Sequence, residues 1–283
     1  MIGFNHLGTM GRFGNQLFQY AALKGIAANM NFEYTIPPVV NKQIQHHNYG
    51  LFECFSLGSN KNVGWLENEN VIKESFFHFD EYLFNNCSDD VNILGFFQSE
   101  KYFNHIEDVI RKDFTFHPSI LEPCIDMIKS FDTSPIFLHV RRGDSSLDDR
   151  GFKWAYTECA DQHPPQPISY YEKALTYFSD DTPVIVFSDS PEWVKEQKLF
   201  SSDRFLVSVP EDKYPDGSYV PYVDICLMSL CSGAIIANSS LSWWGAWLQT
   251  YSTEKIIAPK MWFGSAYNFQ DTKDLYCDNW VVL

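Results

Sequence analysis

The sequence predicts an α/β protein with a mainly parallel sheet and helices on both faces. Two observations carry this prediction. From about residue 133 onward, short apolar runs alternate with helical repeats. The apolar runs also end, one after another, in polar clusters. Strands alternating with helices build parallel sheets, and such sheets bind ligands outside the carboxyl ends of their strands.

The elements follow in order. "PIFLHV" (135–140) reads as a buried strand ending in "RRGD". "ISYYEKALTYF" reads as a helix with Ser169 as its cap. "PVIVFSDS" is a second buried strand, "YVDICLMSLCS" a helix, "GAIIANSS" a third strand, "LSWWGAWLQTY" a helix and "KIIAPKMWF" a fourth strand. The polar strand ends carry Arg141, Arg142, Asp144, Ser188, Asp189, Asn238, Ser239 and Ser240. In the first half, "NQLFQYAALKGIAANM" has helical spacing and predicts a helix from about Asn15. "VNILGFF" (91–97) reads as a strand, and "EKYFNHIEDVIRKDF" as one helix with Tyr102, Ile106, Val109 and Ile110 on its buried face. The boundary falls in "SFDTSP", giving domains 1–132 and 133–283. The aromatic-rich C-terminal segment is expected to cross back onto the first half.

The bulk numbers exclude several classes. The 283 residues are 45% apolar, so a large core can form. The formal net charge of −15 argues against a broad grip on nucleic acid. Seven cysteines with no CxxC pair predict free, mostly buried thiols in a reducing compartment. No run reaches the ~18 apolar residues of a membrane span, and no signal peptide is read. A cytoplasmic protein is expected, with peripheral contact at the inner face of the membrane as the limit. The sequence leaves the oligomeric state open.

Three clusters carry chemistry. In "GTMGRFGNQLF", Gly8, Gly11 and Gly14 lie three apart, with Arg12 between the last two. Walker and dinucleotide spacings both fail. The stretch serves either as a turn with Asn15 capping the helix, or as an anion loop at a helix N-terminus. In "HVRRGD", a guanidinium matches the paired oxygens of a phosphate. Alternation along a strand sends His139 and Arg141 one way and Arg142 the other, toward a structural carboxylate. A surface ion pair is the plainer alternative. In "ANSSLSWWGAWL", Asn238, Ser239, Ser240 and Ser242 stand between strand and helix and can form an anion nest; Trp243, Trp244 and Trp247 read as core.

Asp224 opens an apolar helix, where a carboxylate is most often a surface group favoured by the helix dipole. It could instead accept the N1–H and N2–H₂ of a guanine. Asp189 could hold a ribose or a partner arginine, or cap the next helix. Metal ligation has little support. His46–His47 are neighbours rather than an i, i+4 pair, and Asp148–Asp149 and Asp180–Asp181 read as solvated loops.

The motifs "GRFGNQLFQYA", "GFFQSEKYF", "HVRRGD", "QPISYYEKAL", "FSDSPEWVKE", "ANSSLSWWGAWL" and "IIAPKMWF" occur in this order across residues 11–263. Together they resemble the α-1,2-fucosyltransferases of glycosyltransferase family 11, bacterial type. The resemblance implies a GT-B-like fold of two Rossmann-type halves around a cleft. It implies an inverting, metal-independent transfer of L-fucose from GDP-β-L-fucose to the 2-hydroxyl of a galactose-terminated glycan, with no cofactor. Residues 1–132 would serve the acceptor and 133–283 the donor.

By the same resemblance Arg141 holds the β-phosphate, His139 touches the nucleotide and Asp224 the guanine. Ser239, Ser240 and Ser242 bind phosphate or fucose. Asn15 closes over the donor from across the cleft, supported by Gly11, Arg12 and Gly14. Asp144 and Asp189 organise the loops. Asp144 and, on the acceptor side, Glu100 are candidates for a general base. After Asp144 the chain reads "SSLDD" where relatives often have Tyr first, which leaves the acceptor open. Two alternatives stand beside this reading: a GDP-fucose-dependent transferase with another acceptor or linkage, and a non-catalytic nucleotide-sugar- or glycan-binding protein of the same fold.

Overall fold

The computed structural model describes residues 1–38, 50–57, 62–143, 160–209, 212, 220–250 and 253–283. They fall into two compact units, Met1–His117 with Phe269–Cys277, and Pro118–Asn268 with Asp278–Leu283.

The first unit contains β1 (Ile2–Gly3), α1 (Phe13–Met30), β2 (Tyr34–Thr35), α2 (Gly50–Cys54), β3 (Val71–Lys73), α3 (Glu81–Asn86), β4 (Val91–Leu94) and α4 (Glu107–Asp113). Its four strands pair in the order β2-β1-β4-β3, all parallel. Thirteen of the eighteen α1 residues are buried, so α1 is a core helix rather than a one-faced surface helix. Two of its polar residues meet one carboxylate inside: the Tyr20 hydroxyl donates to Asp113 Oδ2 at 2.8 Å, and Lys24 forms an ion pair with the same oxygen.

The second unit contains α5 (Pro118–Lys129), β5 (Ile136–Val140), α6 (Ile168–Leu175), β6 (Val184–Ser188), α7 (Pro191–Glu196), β7 (Phe205–Val207), α8 (Tyr222–Leu230), β8 (Ala234–Ile235), α9 (Ser240–Trp247), β9 (Ile256–Ala258) and β10 (Val281–Val282). The sheet order is β10-β9-β8-β5-β6-β7, again all parallel. Counted from β5, this is the doubly wound order 3-2-1-4-5-6, with its topological switch point between β5 and β8. Every residue of β5 and β6 is buried, so both faces of the sheet are covered. Ile136, Leu138 and Val140 pack against Tyr170, Tyr171 and Ala174 of α6.

Several sequence expectations change in detail. The unit break precedes α5 instead of following it at 132, because α5 packs on α8, with the Cys124 thiol 3.8 Å from the Val223 carbonyl. Phe269–Cys277 belongs with the first unit, while β10 returns to the second. The strand expected over 91–97 stops at Leu94. The single helix expected over 100–114 is two short 3₁₀ turns followed by α4. Phe103, at φ −141° and ψ 0° with its ring buried, breaks the helix and shifts its phase, so Val109 faces solvent. Helix α6 is capped by Pro167, placing Ser169 inside its first turn. Helix α1 starts at Phe13 with Arg12 in the cap position, so Asn15 lies within the first turn. The six described cysteines form no disulfide with one another and are buried; Cys159 lies outside the described residues.

Candidate active site

The second unit gathers its polar residues at the switch point, and strand register explains how. Strands β5 and β6 pair from Ile136↔Val184 through Val140↔Ser188, which brings the next residues, Arg141 and Asp189, level with each other. Arg141 Nη1 lies 2.7 Å from Asp189 Oδ2. The same carboxylate accepts the N–H groups of Arg142 and Gly143, both at 3.0 Å. Gly143 takes φ +108°, a backbone state that suits glycine. Ser190 Oγ donates to the Gly143 carbonyl at 3.2 Å. Asp189 is thus the arginine partner among the roles the sequence left open, and it shapes the "RRG" turn around Arg141.

Arg142 departs from expectation. Its guanidinium lies over the Trp193 ring of α7, 3.9 Å from the centroid, in place of a carboxylate. The nearby carboxylate is already taken by Arg141, and an indole face is a good alternative for a planar cation. His139 sits just inside the strand, nearly fully buried, and its Nδ1 has no partner among the described residues. Burial, and then the Arg141 charge, push its pKa down to about 3, so the ring is neutral at working pH.

Across the switch point, β8 runs into α9. Ser239 is the helix cap, and its hydroxyl makes no capping bond; Ser240 is the first helical residue. Both are half-buried and stand where the N-terminal N–H groups of α9 point outward. Ser242 is fully buried, and its hydroxyl donates to the Ser239 carbonyl at 3.2 Å, so it supports the turn from beneath. Asn238 is also buried; its amide donates to the carbonyls of Pro164 and Trp262, at 2.9 and 3.0 Å, tying two loops to the end of β8. Trp243 and Trp244 are core.

Asp224 corrects the residue-pattern reading. It is only 8% exposed, because α8 is apolar on nearly every side. Burial raises its carboxyl to about 7, and the Ser208 Oγ donor at 3.3 Å offsets only part of this rise. Ser208 follows β7 directly and had no sequence signal. His163 is a second residue that the sequence did not reveal. Its ring packs on Phe263 and Tyr267, and burial together with the Arg141 charge lowers its pKa. Asp144 lies outside the described residues, as do His46, His47, Asp148 and Asp149. Among the described residues, no three His, Cys, Asp or Glu side chains converge as a metal cluster would.

Asn15, Gly11, Arg12, Gly14 and Glu100 belong to the first unit. Gly11 takes φ +72°, and a Cβ there would lie 2.2 Å from Asn15 Nδ2, so the glycine makes room for that amide. Asn15 Oδ1 accepts from Gln98 Nε2 at 2.8 Å. Glu100 opens the first 3₁₀ turn and is half-buried.

The family model for Glycosyl transferase family 11 matches residues 1–283. The chain belongs to that family. Among its relatives, an O-antigen biosynthesis glycosyltransferase of Escherichia coli, WbnK, is 30% identical over 80% of this chain and 72% of its own length. An α-1,2-colitosyltransferase of Escherichia coli is 28% identical over 89% and 90%. Galactoside α-(1,2)-fucosyltransferase 1 of Sus scrofa is 24% identical over 84% of this chain and 63% of its own length. Among solved structures, NodZ α-1,6-fucosyltransferase soaked with GDP-fucose superposes with a TM-score of 0.53 at 15% identity, over 92% of this chain and 94% of that one. This likeness establishes the GT-B-like α/β fold. The protein is a glycosyltransferase, and among its described residues no helix is long and apolar enough to cross a membrane.

Proposed function

We propose that this glycosyltransferase moves L-fucose from GDP-β-L-fucose to the 2-hydroxyl of a galactoside, with inversion and without a metal, in the cytoplasm. The observation that carries the reading is Arg141, held by Asp189 at the switch point of a doubly wound sheet. The names of the α-1,2-transferring relatives support the linkage.

In this reading the acceptor oxygen attacks the anomeric carbon from the face opposite the nucleotide. The bond between that carbon and the phosphate oxygen breaks, and GDP leaves with the electron pair. Negative charge grows on the β-phosphate, where the Arg141 fork and the amides at the start of α9 stabilise it. Ser239 and Ser240 hold the remaining phosphate or sugar oxygens. Asp224 accepts from the guanine edge, and neutral His139 lines the nucleotide pocket. Asp189, Ser242 and Asn238 position these groups. The acceptor proton leaves with the departing phosphate or to water.

The colitosyltransferase relative favours a second donor, GDP-colitose, since colitose is L-fucose without its 3-hydroxyl. The test incubates the protein with GDP-fucose or GDP-colitose, with and without EDTA, against lactose, N-acetyllactosamine and a Galβ1,3 disaccharide. GDP release and the product's linkage by NMR are read. A product fucosylated at the 2-position and formed equally in EDTA is expected. Transfer from GDP-colitose alone would replace the donor, and loss of activity in EDTA would overturn metal independence. GDP-dependent thermal stabilisation without any product would favour a binding protein.

A further inference from the structure

The first unit has its own set of strand exits. Strands β3 and β4 are parallel, with Lys73 level with Leu94, and both chains leave at the carboxyl edge. There Glu74 reaches across. Its Oε2 accepts from the Phe96 N–H at 2.8 Å, and its Oε1 from the Phe97 N–H at 3.0 Å. Gly95 permits the approach, since a Cβ there would lie 2.5 Å from the Glu74 Cβ. Gln19 Nε2 holds the Gly95 carbonyl at 3.2 Å, and Gln98 joins the loop to Asn15.

The clamp holds a strained turn. Phe97 takes φ +53°, an unfavourable state for a bulky residue. Its ring is fully buried, edge-on to Phe4 and Tyr102. Strain of this kind persists where the surroundings enforce it, and it concentrates at ligand sites. The consequence is that Phe96 turns outward, 37% exposed. Phe76, two residues beyond Glu74, is 47% exposed and stacks on His78 with centroids 4.7 Å apart. Two exposed aromatic rings therefore stand at the exits of adjacent parallel strands, and the Glu74 carboxylate at the end of one strand fixes the backbone that carries the ring on the other. The core has no use for either ring. A strand-exit edge is where α/β sheets take ligands.

We propose that Phe76 and Phe96 form the platform on which the acceptor sugar lies, with Glu74 as the residue that positions it. The ligand class is a β-galactoside. The axial 4-hydroxyl of galactose leaves its C–H bonds at positions 3, 4 and 5 on one face of the ring. That apolar face suits the electron-rich face of an aromatic ring. The proposal rests on the transfer reading above and names where its acceptor binds.

The test uses the full chain and two readouts. In steady-state kinetics, Phe76→Ala and Phe96→Ala should each raise the acceptor KM about tenfold while the donor KM holds, and Phe76→Trp should restore it. Glu74→Gln should raise the acceptor KM without moving the donor KM. Saturation-transfer NMR of methyl β-galactoside with no donor present should mark H3, H4 and H5 on the wild-type protein, and lose that mark in the double alanine variant. Both phenylalanines are exposed, so their replacement leaves the core intact. An unchanged acceptor KM, with transfer intact, would overturn the platform and leave the reaction standing. Absence of any saturation on the wild-type protein would overturn it as well. Saturation lost in the variant, in a protein that transfers no fucose, would support the platform and sink the transfer reading alone.

Discussion

Arg141 and Asp189 meet at 2.7 Å because β5 and β6 pair in register to their last residue and both strands continue one step further. The contact neutralises a guanidinium at a partly buried strand mouth and aims it. A preorganised donor at a developing anion is worth ~3–4 kcal/mol, by analogy with an oxyanion-hole donor. Arg141→Ala should therefore lower turnover roughly a hundredfold or more. Arg141→Lys should fail to rescue it, because a point charge lacks the two-pronged geometry. Initial rates of GDP release check both, and near-normal turnover in either variant would remove Arg141 from its role.

Asp189 contributes through Arg141 and through the two backbone amides that it accepts. Asp189→Asn cannot satisfy three donors and leaves a cation uncompensated. It should cost about 1–3 kcal/mol in stability and lower turnover at least about tenfold. On an Arg141→Ala background the same change should cost much less activity, since contacting residues are not additive. A double-mutant cycle on kcat/KM, with thermal melts beside it, measures this. Full additivity would mean that Asp189 acts independently of the arginine.

What the sequence made legible depended on element length and on pairing. Strands β5 and β6 are five-residue apolar runs, long enough to announce themselves, and their polar exits named Arg141 and Asp189. Strands β1 and β2 have two residues each and β3 three, too few for any periodicity, so only the family resemblance implied a first-half sheet. Register is not written in a single strand, which is why the partner of Arg141 stayed among several options and Arg142 was sent to a carboxylate in place of Trp193. The Arg12 cap left no signal because its side chain makes no capping bond. The burial of Asp224 was legible in principle, since "VDICLMSL" surrounds the carboxylate with apolar residues on successive helical faces.

Asp224 couples function to pH. Burial raises its carboxyl to about 7 from an unfolded value near 4. Between those values the folded state holds the extra proton. This group's contribution to stability is therefore full below about pH 4 and is lost as pH rises through about 7. Asp224→Asn should make the protein more stable at pH 8, on the order of 2 kcal/mol, with little difference at pH 4. The same change should weaken GDP binding, because an amide cannot accept from both guanine donors. Melts from pH 4 to 8 and calorimetric titration with GDP give the two signs separately. A variant that is less stable at pH 8 would contradict the desolvation argument, and unchanged GDP affinity would take Asp224 out of the guanine pocket.

Gly25 sets how α1 meets the turn that follows Phe96 and Gln98. A Cβ at Gly25 would lie 1.9 Å from the Tyr102 carbonyl oxygen and 3.0 Å from the Phe103 Cα. Both neighbours are backbone, so no side chain can swing aside. Alanine gains about 1 kcal/mol of helix propensity over glycine, but overpacking against fixed atoms costs about 1–3 kcal/mol, occasionally more. Gly25→Ala should therefore destabilise the protein by about 2 kcal/mol or more, seen as a lower urea midpoint. The displaced 3₁₀ turn should also raise the acceptor KM, because the loop with Phe96 is anchored just ahead of it. Gly64→Ala is the control: the nearest atom to its Cβ would be Thr35 Oγ1 at 3.6 Å, an ordinary contact, and its midpoint should shift by no more than about 0.5 kcal/mol in free energy. Equal effects at the two glycines would mean that α1 moves freely on its neighbours, and the strand-exit loop would then lack the fixed support that an aromatic platform requires.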